Sequence, residues 1–223
     1  MATTALKICC IASPAEARGA AAAGATHLGL VGPMPTGPGV LTLAEARAIA
    51  EATAGLPALP VLLTASDTAG AIVADAATAG VGAVQVVRPI AAGEAAALAA
   101  TGLTYIQVIH VEGAGALDLI APYAGHCDAF LLDSGRPSAD ELGGTGRAHD
   151  WTVSAAFVAA SPRPVFLAGG LTPANVGAAI AQVRPHGIDV CSGLRPAGPL
   201  DPGLLAAFTA AVSEANTRLA NGG

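Results

Sequence analysis

Val165-Phe166-Leu167-Ala168-Gly169-Gly170-Leu171-Thr172-Pro173 leads into an alanine-rich run to Val183, and then to Gly187-Ile188-Asp189-Val190-Cys191-Ser192-Gly193-Leu194-Arg195. The order is an apolar strand, a Gly-Gly turn, a helix, a second apolar strand and a second glycine-bearing turn. Thr172 is expected to cap the helix, with Pro173 in the first turn, where its missing N–H costs nothing. Both strands are short continuous apolar runs, as suits a parallel sheet buried on both faces. A glycine turn just past a strand lets backbone N–H groups approach an anion closely. One such turn could simply be tight. Two in succession favour a phosphate cradle, because the loops after strands seven and eight of a β/α barrel commonly hold a phosphate.

Working outward, the same unit recurs. Strands are expected at residues 6–11, 27–32, 58–64, 83–87, 104–110 and 127–133, ahead of the two already quoted. Ser13-Pro14-Ala15-Glu16 and Thr42-Leu43-Ala44-Glu45 form capping boxes that open the first two helices. Further helices are expected near 68–79, 93–100 and 116–123, another opens at Asp150-Trp151, and a last begins at Asp201-Pro202. Eight strand–helix units in 223 residues predict an α/β fold, a single (β/α)8 TIM barrel spanning residues 1–223 as one domain. An open doubly wound sheet is the alternative. Its dinucleotide-binding form needs G-x-G-x-x-G after the first strand, which is absent here.

The chain is 53% apolar and 12% charged, with a formal net charge of −6. That balance argues against nucleic acid as a partner, since a phosphate backbone needs clustered Lys and Arg. It leaves room for a small phosphorylated ligand held by amides. No unpunctuated apolar run of about 18 residues predicts a membrane span, and the first residues do not read as a secretory signal. Cys9, Cys10, Cys127 and Cys191 show no CxxC spacing, and adjacent Cys9 and Cys10 are poor disulfide partners. Reduced thiols and a cytoplasmic location are therefore expected.

In a β/α barrel the reactive groups sit at the carboxyl ends of the strands. The candidates are Cys9 and Cys10 on the first, Arg88 after the fourth, His110 on the fifth, Asp133 ending the sixth and Asp189 on the eighth. Alternation puts Lys7 and Cys9 on one side of their strand and Cys10 on the other. A thiol beside a cation can accept a proton; equally, a free cysteine can be a small core residue. Asp133, closing the run Phe130-Leu131-Leu132, is natural as an acid or base and possible as a loop anchor. No His, Cys or carboxylate spacing suggests a metal. Gly143-Gly144-Thr145-Gly146-Arg147 has the look of a phosphate-binding turn but lacks the Lys-Ser or Lys-Thr of a P-loop. His149 sits in a loop and needs no role.

At these residues the chain resembles the phosphoribosylanthranilate isomerases of tryptophan biosynthesis. The similarity is carried by Lys7-Ile8-Cys9, Leu131-Leu132-Asp133-Ser134, residues 143–147 with Asp150-Trp151, Leu167-Ala168-Gly169-Gly170-Leu171 with Asn175, and Gly187 to Gly193. The resemblance implies a β/α barrel that uses no cofactor and no metal and acts, as monomer or homodimer, on a small phosphorylated sugar-amine. It implies an Amadori rearrangement with Cys9 as general base and Asp133 as general acid. It further implies phosphate binding by Gly169, Gly170, Cys191, Ser192 and Gly193. Lys7, Arg88, Gly144 and Asp189 are expected to bind the rest of the substrate. Three departures stand out. Cys10 replaces the glycine of the family's Lys-x-Cys-Gly. Thr36-Gly37-Pro38-Gly39 replaces the Ser-Pro-Arg associated with the anthranilate carboxylate. Gln85-Val86-Val87-Arg88-Pro89 stands where the family's fourth strand ends Gln-Leu-His-Gly. The sugar-phosphate end is thus expected to be retained and the aglycone end rebuilt, with Arg88 standing in for the lost arginine. A different phosphoribosyl amine as substrate, or a non-catalytic sugar-phosphate binder, are the competing expectations.

Overall fold

The computed structural model describes residues 3–35, 37–134 and 149–222. Eight parallel strands close into a barrel in chain order, with β8 hydrogen-bonded back to β1. The strands are β1 (Ala5–Ile8), β2 (His27–Val31), β3 (Leu59–Thr64), β4 (Ala83–Val86), β5 (Thr104–His110), β6 (Ala129–Asp133), β7 (Val165–Leu167) and β8 (Gly187–Val190). The helices outside them are α1 (Pro14–Ala22), α2 (Leu43–Ala52), α3 (Ala69–Ala79), α4 (Ala92–Ala99), α5 (Ile120–Ala124), α6 (Trp151–Ala160), α7 (Val176–Val183) and α8 (Pro202–Ala220). No helix among the described residues is long and apolar enough to cross a membrane.

The unbroken apolar strands serve two cores. One parity lines the barrel interior, including Val61, Leu63, Ala83, Ile106, Val108, Ala129, Leu131 and Phe166. The other packs outward under the helices, including Leu28, Leu30, Leu62, Val84, Tyr105, Ile109, Phe130 and Leu132. Small helix residues such as Ala17, Ala20, Ala46, Ala76 and Ala79 are buried against that outer face, so the alanine richness lets helices lie close to the sheet. In the interior, a Cβ on Gly187 would collide with the Phe166 ring; its absence allows the aromatic side chain to fill the space between β7 and β8.

Local chemistry explains most boundaries. Thr42 and Glu45 form the reciprocal capping box of α2. Asp201 accepts from the amides of Gly203 and Leu204 and Pro202 opens α8. Other boundaries differ from expectation. β1 stops at Ile8, because Cys10 takes φ +59, a left-handed conformation that leaves the strand and that side chains rarely adopt. This is the position where the resembled family carries glycine. The segment before α5 begins as a 3₁₀ helix, Ala114–Leu119. Thr172 and Pro173 do not open α7: the Asn175 side chain accepts from the Thr172 amide and donates to Gly170 O, and the helix starts at Val176. Glu16 does not close a box on Ser13. Its carboxylate takes the Ala12 and Leu200 amides and a two-pronged contact from Arg195, pinning α1 to the loop after β8.

The cysteines also depart from the expected four free thiols. Cys10 and Cys191 form a disulfide with Cα atoms 6.0 Å apart and a sequence separation of 181, while Cys9 and Cys127 are free and buried. Barrel closure brings the ends of β1 and β8 side by side, which spacing along the chain could not reveal. Denaturing the protein without reductant in the presence of an alkylating agent is expected to label Cys9 and Cys127 only; mass spectrometry finding all four cysteines labelled would remove the bridge.

Candidate active site

The carboxyl ends of the strands assemble a ring of inward-facing residues: Cys9 past β1, Val31 on β2, Val87 past β4, His110 on β5, Asp133 on β6, Ala168 past β7 and Cys191 past β8. Strand alternation places them, and Cys9, Val31, Val87, Ala168 and Cys191 share one inner cluster. One layer deeper, Lys7 and Asp189 form an ion pair, Nζ to Oδ2 3.0 Å, with Lys7 fully buried and Asp189 7% exposed. They are register partners in β1 and β8.

This pair sits beneath the Cys9 thiol. A Cβ built on Gly29 of β2 would lie 2.8 Å from Cys9 Sγ and 3.0 Å from Lys7 Nζ, so a missing side chain on β2 gives both groups their room. Burial works against the Lys7 ammonium, but Asp189 and then Cys9 outweigh it and leave its pKa above the ordinary value. Burial pushes the Cys9 thiol up to about 11; Lys7 pulls it down, and Asp189 opposes Lys7. The resting sulfur is therefore a protonated thiol at neutral pH, with a fixed cation at hand to stabilise its thiolate.

Asp133 ends β6 half-buried, and its Oδ1 accepts the Ser134 amide at 2.7 Å. Its neighbour is His149, whose Nε2 lies 2.6 Å from Ser154 Oγ. Burial lowers the His149 pKa against the opposing pull of Asp133 and Asp150. A Cβ on Gly169 would come within 2.9 Å of Ser134 Oγ and 3.1 Å of His149 Nδ1. Gly169 thus allows the β6 and β7 ends to meet. His149, given no role from sequence, and Gly29 are site features that the motifs did not signal; strand parity alone could have found Gly29.

Gly169 and Gly170 take φ +84 and +64, and among the described residues neither amide donates to a backbone carbonyl. The next turn is the 3₁₀ helix Ser192–Leu194. A Cβ on Gly193 would clash with Leu171 O, so only glycine lets the two turns touch. Their contact makes one continuous backbone surface beside Asp133 and Cys9. Arg88 follows β4, half-buried, and among the described residues its guanidinium enters no ion pair. Gly144 and the rest of residues 135–148 lie outside the described residues.

A closed barrel with a thiol, a carboxyl group and two glycine turns around one mouth defines a β/α-barrel protein of the sugar-phosphate-isomerising kind. Residues 6–211 match the family model described as N-(5'phosphoribosyl)anthranilate (PRA) isomerase, and the chain belongs to that family. The N-(5'-phosphoribosyl)anthranilate isomerase of Halobacterium salinarum is 38% identical over 213 residues, covering 93% of this chain and 94% of that one. Among solved structures, the phosphoribosyl anthranilate isomerase of Thermus thermophilus superposes with a TM-score of 0.80 at 27% identity, over 95% of this chain and 99% of that one. Another phosphoribosyl anthranilate isomerase, 23% identical with a TM-score of 0.79 over 95% of this chain and all of that one, was crystallised with reduced 1-(o-carboxyphenylamino)-1-deoxyribulose 5-phosphate; that likeness is one of fold.

Proposed function

We propose that this protein isomerises N-(5'-phosphoribosyl)anthranilate to 1-(o-carboxyphenylamino)-1-deoxyribulose 5-phosphate by general acid–base catalysis. The observation that carries the reading is the placement of Cys9 and Asp133 on inward positions of one barrel mouth, flanking the paired glycine turns. The phosphate rests on amides of Gly169, Gly170, Ser192 and Gly193, with Cys191 positioning the second turn. Asp133 gives its proton to the furanose ring oxygen. The C1–O bond breaks as the amine lone pair forms the Schiff base, and the ring oxygen leaves as a hydroxyl group. The Cys9 thiolate then takes the proton from C2, giving an enolamine. Reprotonation at C1 and loss of the enol proton yield the ketone. Net, Asp133 loses a proton and Cys9 gains one, and exchange with solvent resets both.

Lys7 is too deeply enclosed to reach substrate, so its part is to hold Cys9, with Asp189 holding Lys7. Arg88 takes the aglycone carboxylate. A charge-assisted hydrogen bond is worth roughly 1.5–3 kcal/mol, so Arg88→Ala is expected to raise KM about 10–100-fold with kcat little changed. An unchanged KM removes Arg88 from the site. The function itself is tested by incubating the purified protein with N-(5'-phosphoribosyl)anthranilate and following the ketose phosphate by chromatography. No product at any protein concentration rejects it. The Thr36-Gly37-Pro38-Gly39 loop, lacking the expected arginine, favours a second reading: the same chemistry on another phosphoribosyl amine, which predicts turnover of that amine in preference to the anthranilate compound.

A further inference from the structure

His110 is 8% exposed at the end of β5. Ile106 and Val108 of the same parity line the barrel interior, so the ring enters the mouth from that side. Its Nε2 lies 2.9 Å from the Val87 carbonyl oxygen. A carbonyl can only accept, so Nε2 carries the proton, and in the neutral ring Nδ1 is then a bare acceptor. That Nδ1 is buried and, among the described residues, has no hydrogen-bond partner. A buried acceptor left unpaired is costly, and this one belongs to the last residue of the inward row of β5, at the carboxyl end of the barrel.

Its position says which donor fits. His110 is the register partner of Asp133, and both point inward. Around the barrel the glycine turns follow β7 and β8, so His110 lies on the side of Asp133 away from the phosphate, toward the aglycone. The ring oxygen that Asp133 protonates and the exocyclic nitrogen are bonded to the same carbon. An acceptor on the adjacent strand is therefore on the nitrogen's side of the oxygen that Asp133 holds.

We propose that His110 Nδ1 is a catalytic hydrogen-bond acceptor for the exocyclic N–H of the substrate, a role that rests on the isomerase function argued above. As the C1–O bond breaks, the nitrogen lone pair moves into the C1–N bond and the nitrogen becomes positive. Its N–H becomes a stronger donor while the proton stays on nitrogen throughout. The hydrogen bond is then tighter in the transition state than in the bound substrate, which raises kcat rather than affinity.

The test compares kcat and KM for the wild type, His110→Asn, His110→Gln and His110→Leu on N-(5'-phosphoribosyl)anthranilate. Asparagine can return an oxygen acceptor near the Nδ1 position, glutamine only the donor toward Val87, and leucine neither. Gln and Leu are expected to lower kcat by about tenfold or more with KM changed less than about threefold, and Asn to recover most of the loss. Wild-type kcat in the Leu variant, or an Asn variant no better than Leu, overturns the proposal. A second measurement uses the unmodified protein with ¹⁵N-labelled histidine. The His110 Nδ1 resonance is expected to move on adding reduced 1-(o-carboxyphenylamino)-1-deoxyribulose 5-phosphate, which keeps the N–H, and not on adding ribose 5-phosphate, which lacks it. Equal responses to the two ligands, or none, overturn it. Wild-type turnover with unaffected His110 variants defeats this role alone; absence of wild-type turnover defeats the isomerase function and this role together.

Discussion

Cys9→Ser and Asp133→Asn are each expected to lower kcat by about 10²–10⁴-fold, the range contributed by a positioned general base or acid, while both variants still bind inorganic phosphate as the wild type does. Serine fails because an alcohol is a far weaker acid than a thiol and Lys7 cannot hold it ionised. Asparagine fails because an amide has no proton to give the ring oxygen. The pH profile of Asp133→Asn carries a further signature, because that variant no longer waits on a protonated carboxyl. Only the thiolate can accept the C2 proton, and burial has pushed the Cys9 thiol up to about 11. The thiolate fraction therefore grows as pH rises, and the residual kcat/KM of this variant is expected to climb from about pH 6 to about pH 9. The sign for stability is opposite. The folded state keeps the Cys9 proton after the unfolded chain has lost it, so this group weakens the fold as pH rises from the ordinary 9.0 toward about 11. Wild-type turnover in either variant, or a residual kcat/KM of Asp133→Asn that falls across that pH range, would sink the assignment of base and acid.

The second large effect is on stability. Lys7→Met is expected to destabilise the protein by about 3–5 kcal/mol, because it leaves the Asp189 carboxylate buried with no counter-ion. Lys7 is fully buried and Asp189 7% exposed, so water cannot replace the lost partner without opening the barrel. Converting both residues, Lys7→Met with Asp189→Leu, is expected to recover much of the loss, since a buried pair replaced by apolar groups of similar volume is often near neutral. Urea unfolding of the three proteins gives the comparison. A Lys7→Met midpoint equal to wild type would mean the pair is solvated after all. The double variant is still expected to be slow, because the cation beside Cys9 is gone; restored stability without restored kcat separates the pair's structural part from its catalytic one.

The two glycine turns after β7 and β8 were legible in the chain because their information is local. Gly169-Gly170 and Ser192-Gly193 each follow a short apolar run, and positive φ in the first pair is what glycine makes available. Asp133 was legible for the same reason: a carboxylate ending a buried strand has few structural reasons to be there. α7 starts later than its sequence suggests: Thr172 and Pro173 satisfy the general rule for a helix opening, whereas Asn175 bonds back to Gly170 and Thr172 and holds the chain in a turn for three more residues. Glu16 departs from its local pattern in the same way, since its carboxylate takes Arg195 and the Leu200 amide in place of the reciprocal cap that its spacing suggests.

By itself, then, the sequence determined eight strand–helix units, their order, the parity of the side chains along each strand and the residues available at the strand ends. Those features depend on neighbours a few positions apart, and periodicity records them. Only the closed barrel decided that Lys7 meets Asp189, that Gly29 makes space for Cys9, that Cys10 joins Cys191 and that the Nδ1 of His110 is left unpaired. The first three join a residue to another strand, in the first and third cases across the β1–β8 seam, where chain separation is greatest. A contact of that kind is set by how the sheet twists and closes, and no local pattern encodes it.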